Sequence, residues 1–73
     1  MRINRVKFVA EAAKLELRNY EIARKANVSL STISAIRGGK SVSKDTAEKV
    51  AIVLNLPVEQ LLEQKAIEDI RNE

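Results

Sequence analysis

Hydroxyl groups and positive charges are the side chains through which this 73-residue chain could do chemistry. It contains neither Cys nor His, which excludes disulfides, thiolate chemistry, zinc fingers and every catalytic pair that includes either residue. A Ser/Lys or carboxylate site is formally possible, but no motif positions one, and so short a chain leaves little room for a cleft. We therefore expect a binding protein without metal or cofactor, and not an enzyme.

The charges of the chain are distributed unevenly along its length. Residues 1–40 hold nine Lys/Arg and three Glu, residues 41–57 are balanced, and residues 58–73 hold two basic and five acidic side chains. The first part therefore carries a net charge of +6 and the last part −3. Such a polarity suits the presentation of one basic face to a polyanion.

Helices are the elements that must position these groups, because a single Pro and two Gly leave few signals for a many-turned β fold. We expect one all-α domain over residues 1–73, with helices at about 3–15, 20–26 and 30–37, a fourth after Ser43 and a fifth over about 58–69. No apolar run resembles a signal peptide or a membrane span, so we expect no membrane association and a cytoplasmic location.

Apolar residues at helical spacing indicate which faces should be buried. In the first helix, one stripe should face the core: Val6, Val9, Ala10, Ala13 and Leu17. The later helices should bury Ile22, Ala23, Ala26, Ile33, Ile36, Ala47, Val50, Ala51, Leu54, Val58, Leu61, Leu62 and Ala66.

Residues 19–37 have the pattern of two short helices joined by a tight turn. Asn27 tolerates a left-handed backbone and can end the first helix, and Ser29 can cap the second. Ser43 is an equivalent cap for the fourth helix. Two short helices at a steep angle allow the second to project into a DNA major groove. The outward face of that second helix should be Leu30, Ser31, Thr32, Ser34 and Ala35.

The segment LRNYEIARKANVSLSTISAIRGGK (residues 17–40) resembles the Cro/repressor-type (XRE-like) helix-turn-helix of phage and bacterial regulators. The family pattern is matched by Leu17, Ile22, Ala23, Val28, Ser29, Ile33, Ser34, Ile36, Gly39 and Lys40. The resemblance extends over about residues 5–63. It implies a five-helix, lambda-repressor-like domain and a sequence-specific, Cro-like transcription regulator that binds double-stranded DNA.

The resemblance also implies a set of DNA contacts. Leu30, Ser31 and Ala35 would reach base edges, and none of them can make the bidentate contacts of Arg, Lys, Asn or Gln. Phosphate contacts should therefore carry much of the binding, from Asn19, Arg37, Lys40, Ser43 and Lys44. The chain departs from the pattern at Asn19, Asn27 and Arg37, where the family commonly has Gln, Gly and Glu.

The weak base-reading face supports a second hypothesis from another functional class. Leu30 and Ala35, exposed among small hydroxyl residues, could bind a protein instead, as in an antirepressor that acts on a partner repressor. A homodimer is also possible. The fifth helix offers apolar residues for a dimer surface, or for completing a monomer's core: Leu61, Leu62, Ala66, Ile67 and Ile70.

Overall fold

The computed structural model describes residues 1–62, and these residues form five α-helices. The helices are α1 (Arg5–Lys14), α2 (Asn19–Ala26), α3 (Leu30–Arg37), α4 (Lys44–Val53) and α5 (Val58–Leu61). The predicted all-α, five-helix class is confirmed. The part of the predicted fifth helix beyond Leu62, with Ala66, Ile67 and Ile70, lies outside the described residues.

Short polar side chains begin three of the helices. The side-chain oxygen of Asn4 accepts from the backbone N–H groups of Val6 and Lys7, at 3.1 Å each, and so starts α1 two residues later than predicted. Ser29 and Ser43 each accept from the backbone N–H three residues on, at 3.1 Å, which confirms both as N-caps of α3 and α4. Each such bond satisfies an amide that the helix leaves unpaired, and contributes about 1 kcal/mol.

The turn between α2 and α3 depends on one left-handed residue. Asn27 ends α2 at φ 57° and ψ 44°, and the next amide, of Val28, donates to the carbonyl of Ala23 at 2.9 Å. Asn is among the few residues that adopt this conformation readily, because its side chain can bond locally. The predicted turn is confirmed, and it redirects the chain sharply into α3.

The core lies between α2, α3, α4 and the inner face of α1. Of the positions predicted to be inward in α2 to α5, Val58 is half-buried and Ala66 lies outside the described residues. The others are buried, each with at most 6% of its surface exposed: Ile22, Ala23, Ala26, Ile33, Ile36, Ala47, Val50, Ala51, Leu54, Leu61 and Leu62. The helical periodicity of these elements therefore identified their buried faces correctly.

The predicted buried face of α1 is wrong. Val6 is 74% exposed and Val9 41% exposed, and Ala10 and Ala13 are also exposed, while Leu17 is half-buried against the core. The helix instead buries Phe8, Ala12 and Glu11. Phe8 lies about 200° around the helix from Val6, and its side chain offers more apolar area than any single Val or Ala side chain. The helix therefore turns its bulkiest residue inward.

The first residues of the chain connect α1 to two distant segments. Met1 exchanges two backbone hydrogen bonds with Val42, at 2.9 and 2.7 Å. Ile3 forms an isolated antiparallel bridge with Leu62, and the amide of Asn4 donates to the carbonyl of Leu61 at 2.8 Å. These bonds hold the start of α1 beside both the loop that follows α3 and the end of α5.

Candidate nucleic-acid interface

The pair α2–α3 presents α3 on the surface of the molecule. Ile33 and Ile36 anchor the inner side of α3, and Ala23 of α2 has a side chain small enough for the two helices to approach closely. The opposite side of α3 faces solvent. This is the arrangement in which a second helix can enter a major groove.

The exposed side of α3 carries two rows of residues at helical spacing. Leu30, Ser34 and Arg37 form one row at i, i+4 and i+7, and all three are exposed. Ser31 and Ala35 form the other row, beside Lys40 of the following loop. A shallow open depression is lined by members of both rows and by this lysine: Leu30, Ser31, Ser34, Ala35 and Lys40.

Five of the candidate contact residues are therefore brought together on one surface. Thr32 does not line this depression, and its hydroxyl shares a 2.8 Å hydrogen bond with the hydroxyl of Ser29 in the N-cap. Both Thr32 and Ala35, predicted to face outward, are half-buried. The role of Thr32 as a DNA contact stays a prediction.

Other candidate phosphate contacts lie at the starts of helices. Asn19 is the first residue of α2, and Ser43 and Lys44 begin α4. The side-chain oxygen of Asn19 is buried without a hydrogen-bond partner among residues 1–62. Ser43 donates its hydroxyl hydrogen to Thr46 at 2.9 Å, so it can meet a phosphate as a donor only by releasing that bond. The positive end of each helix dipole adds to the attraction for an anion.

Arg37 reaches toward α1 at the C-terminal end of α3. Its guanidinium carbon lies 5.8 Å from the centre of the Phe8 ring, within the range of a cation–π contact. Arg5, the first residue of α1, lies in the same place and lines one groove with Val6, Val9 and Arg37. The sequence motif gave no sign of Arg5, because this residue precedes the helix-turn-helix and its position depends on contacts distant in sequence.

The ion pairs of the described residues do not involve the cations of the candidate interface. Lys7 and Lys14 each approach Glu11 at 3.3 Å, and Lys49 approaches Asp45 at 3.1 Å. The hydrogen bond from Lys14, followed by that from Lys7, lowers the pKa of Glu11, while partial burial acts in the opposite direction. Within residues 1–62, the cations next to α3 are in none of these pairs.

Two further types of site are absent from the described part of the chain. Within residues 1–62 no cluster of three or more potential metal-ligating side chains occurs. Over the same residues, none of the helices has the length and apolar character needed to cross a bilayer.

Comparison with protein families gives a match over the centre of the chain. Residues 20–56 match the family described as bacterial regulatory proteins, lacI family. The matched region contains nearly all of α2, the turn, α3 and α4, whereas α1 lies before it. No curated protein and no solved structure matches the chain.

Proposed function

The chain belongs to the lacI family of bacterial regulatory proteins, and from this we propose that it regulates transcription by placing α3 in the major groove of a specific DNA sequence. The observation that carries the proposal is the exposed face of α3, held outward by the α2–α3 turn within the matched region. The proposed function is binding alone, in the cytoplasm where bacterial DNA lies. A Cro-like regulator, of phage or bacterial origin, is part of this proposal.

Base recognition would come from the two rows on α3. The hydroxyls of Ser31 and Ser34 can donate to or accept from either sort of base pair, and Leu30 and Ala35 can contact thymine methyl groups. Since none of these side chains makes a bidentate contact, each recognised base contributes little discrimination. The operator should therefore tolerate several substitutions.

Phosphate contacts would supply most of the affinity. Lys40 lies beside the Ser31–Ala35 row, and Lys44 and Asn19 lie at helix starts, where the dipole also favours an anion. Such contacts fix the position of the protein on the duplex without reading sequence. Binding should accordingly weaken steeply as the salt concentration rises.

A selection experiment from random DNA tests the proposal and identifies the operator at the same time. The chain is incubated with a pool of random 30-base-pair duplexes, and bound DNA is amplified and sequenced over several rounds. We expect enrichment of a degenerate motif, and loss of this enrichment in Ser34→Asp, which places a negative charge on the exposed face. Arg24→Gln is the matched control, because it also makes the net charge more negative by one. Arg24 lies in the last turn of α2, at the other end of that helix from Asn19. Equal recovery of all sequences by the wild type would contradict the proposal.

A homodimer is part of the same proposal. Two copies on a two-fold operator would place their α3 helices about 34 Å apart, one turn of DNA. If the selected motif is an inverted repeat at that spacing and sedimentation shows two chains per duplex, the dimer is supported. A motif without symmetry, bound by one chain, would contradict it.

The exposure of Leu30 supports a second candidate, an antirepressor that binds a partner repressor. Leu30 is 53% exposed and borders the depression on α3, so this surface could receive an apolar side chain of a protein. The test is capture of the repressor encoded beside this gene by the wild-type chain and by Leu30→Glu. Undiminished capture by the variant would remove this surface from consideration.

A further inference from the structure

The groove between α1 and the end of α3 is a second cationic site, and three of its four lining residues precede the matched residues 20–56. Arg5 and Arg37 line it together with Val6 and Val9, so two guanidinium groups border an apolar floor. A terminal nitrogen of Arg5 also lies beside Gly39, 3.9 Å from the position that a Cβ atom would occupy there. Arg5 is thus an exposed residue that lies next to the turn that ends α3.

Several contacts hold the two arginines at this place. Arg5 begins α1 directly after Asn4, whose side chain caps the helix and whose amide is bonded to Leu61. Arg37 is fixed by α3 and stacks over the Phe8 ring at 5.8 Å. The site is therefore built by the fold from segments distant in sequence.

The chemistry of the groove favours an anion with several oxygens. Two positive side chains that line the same groove repel each other, and among residues 1–62 neither takes part in an ion pair. A bound anion between them would relieve this repulsion. The planar, multi-donor guanidinium is suited to phosphate, which it can bind through two parallel hydrogen bonds.

The position of the groove indicates which phosphate this is. Arg37 continues the Leu30–Ser34 row of the exposed face, whereas Lys40 borders the Ser31–Ala35 row on the other side. A helix in the major groove has a sugar-phosphate backbone on each side. The Arg5–Arg37 groove would face one backbone and Lys40 the other.

We propose that Arg5 and Arg37 together bind one backbone phosphate of the DNA, so that α1 extends the binding surface beyond the helix-turn-helix. This inference rests on the proposed DNA binding. The expected magnitude follows from counterion release, which adds about 0.9 to the slope of log K against log salt for each phosphate neutralised. Loss of one phosphate should weaken binding about fifteen-fold at 0.05 M salt and about five-fold at 0.15 M.

The test is fluorescence anisotropy with a labelled 24-base-pair duplex of arbitrary sequence, titrated at several salt concentrations. If the phosphate is held only by the two guanidinium groups together, Arg5→Gln should lower the slope by about 0.9. Arg5→Lys keeps the charge and should retain most of the wild-type slope. Arg24→Gln is the control, since it removes the same type of side chain from the last turn of α2, and it should leave the slope unchanged. Circular dichroism of each variant monitors folding.

The double variant tests whether the two arginines share one phosphate. If they do, Arg5→Gln combined with Arg37→Gln should lower the slope by about as much as either change alone. A loss twice as large would show two separate phosphates and would overturn the shared site. Wild-type binding with an unchanged slope for Arg5→Gln would overturn the proposal while leaving DNA binding intact. Absence of wild-type binding to any duplex would instead refute the proposed function.

Discussion

The stability of α1 should depend on Phe8, although the apolar spacing of this helix points to Val6 and Val9. Phe8 has none of its surface exposed, and truncation of a buried Phe to Ala costs about 3–5 kcal/mol. A domain of this length has a free energy of unfolding of only about 4–11 kcal/mol. Because Phe8→Ala could therefore unfold the chain, the informative variant is Phe8→Leu, for which we expect a loss of about 1–2 kcal/mol.

Val6→Ala is the matched comparison on the opposite face of the same helix. Val6 is 74% exposed, so the methyl groups that the substitution removes are in contact with water and not with the core. Ala is also the better helix former, by up to about 0.7 kcal/mol. We expect the free energy of unfolding to stay within about 0.5 kcal/mol of the wild type, or to rise.

Urea unfolding followed by circular dichroism measures both variants under one set of conditions. Phe8→Leu should lower the urea midpoint, and Val6→Ala should leave it unchanged or raise it. The reasoning is refuted if Val6→Ala costs more than about 1 kcal/mol while Phe8→Leu costs less than about 0.5 kcal/mol. That outcome would mean that α1 packs through the apolar stripe and not through the aromatic ring.

Three further predictions follow from the caps, the ion pairs and the exposed face. Ser29→Ala should cost about 1 kcal/mol in urea unfolding, because the first turn of α3 loses its side-chain acceptor; no loss would contradict the cap. Glu11, whose pKa is lowered by Lys14 and then Lys7, contributes stability that is present above its ordinary value of 4.5 and is lost as pH falls through the lowered value. Acid titrations of the unfolding midpoint should therefore show a smaller decline in Glu11→Gln than in the wild type, and identical declines would argue against the ion pairs. Ser31→Asn should add a preference for adenine worth about 1–3 kcal/mol, visible as a new conserved base in the selected DNA, and an unchanged motif would place residue 31 away from the bases.

Local chemistry made α3 and its flanks predictable from the sequence. Ser29 begins the helix and Asn27 adopts the left-handed turn because both depend on hydrogen bonds within three or four residues. The pattern of Ile33 and Ile36 was sufficient to identify the inner side, and therefore the outer side, of α3. These features of the candidate interface do not depend on the rest of the fold.

Features that depend on volume or on distant pairing could not be predicted in this way. Periodicity counts apolar positions without regard to size, so in α1 it favoured Val6 and Val9 over the single Phe8. It also treats Glu11 as a surface residue, although two lysines of the same helix pair with the carboxylate on its inner side. The Ile3–Leu62 bridge joins the two ends of the described chain, and nothing in either local sequence indicates the other. The place of Arg5 beside α3 depends on such pairings.

In the proposed complex, base contacts and phosphate contacts come from different residues, and this division bears on how the chain could be specific for one DNA sequence. Four side chains on α3 would face the bases in this complex. Even about 1 kcal/mol from each would total about 4 kcal/mol, the lower limit of the usual gap between specific and non-specific binding. The proposed phosphate contacts of Arg37 and its neighbours would not widen this gap, because such contacts strengthen binding to every sequence alike. Doubling the number of bases read can widen it, and a second copy on an adjacent half-site does so without any change in α3. The short side chains of α3 therefore favour the two-copy arrangement proposed above over a single chain on DNA.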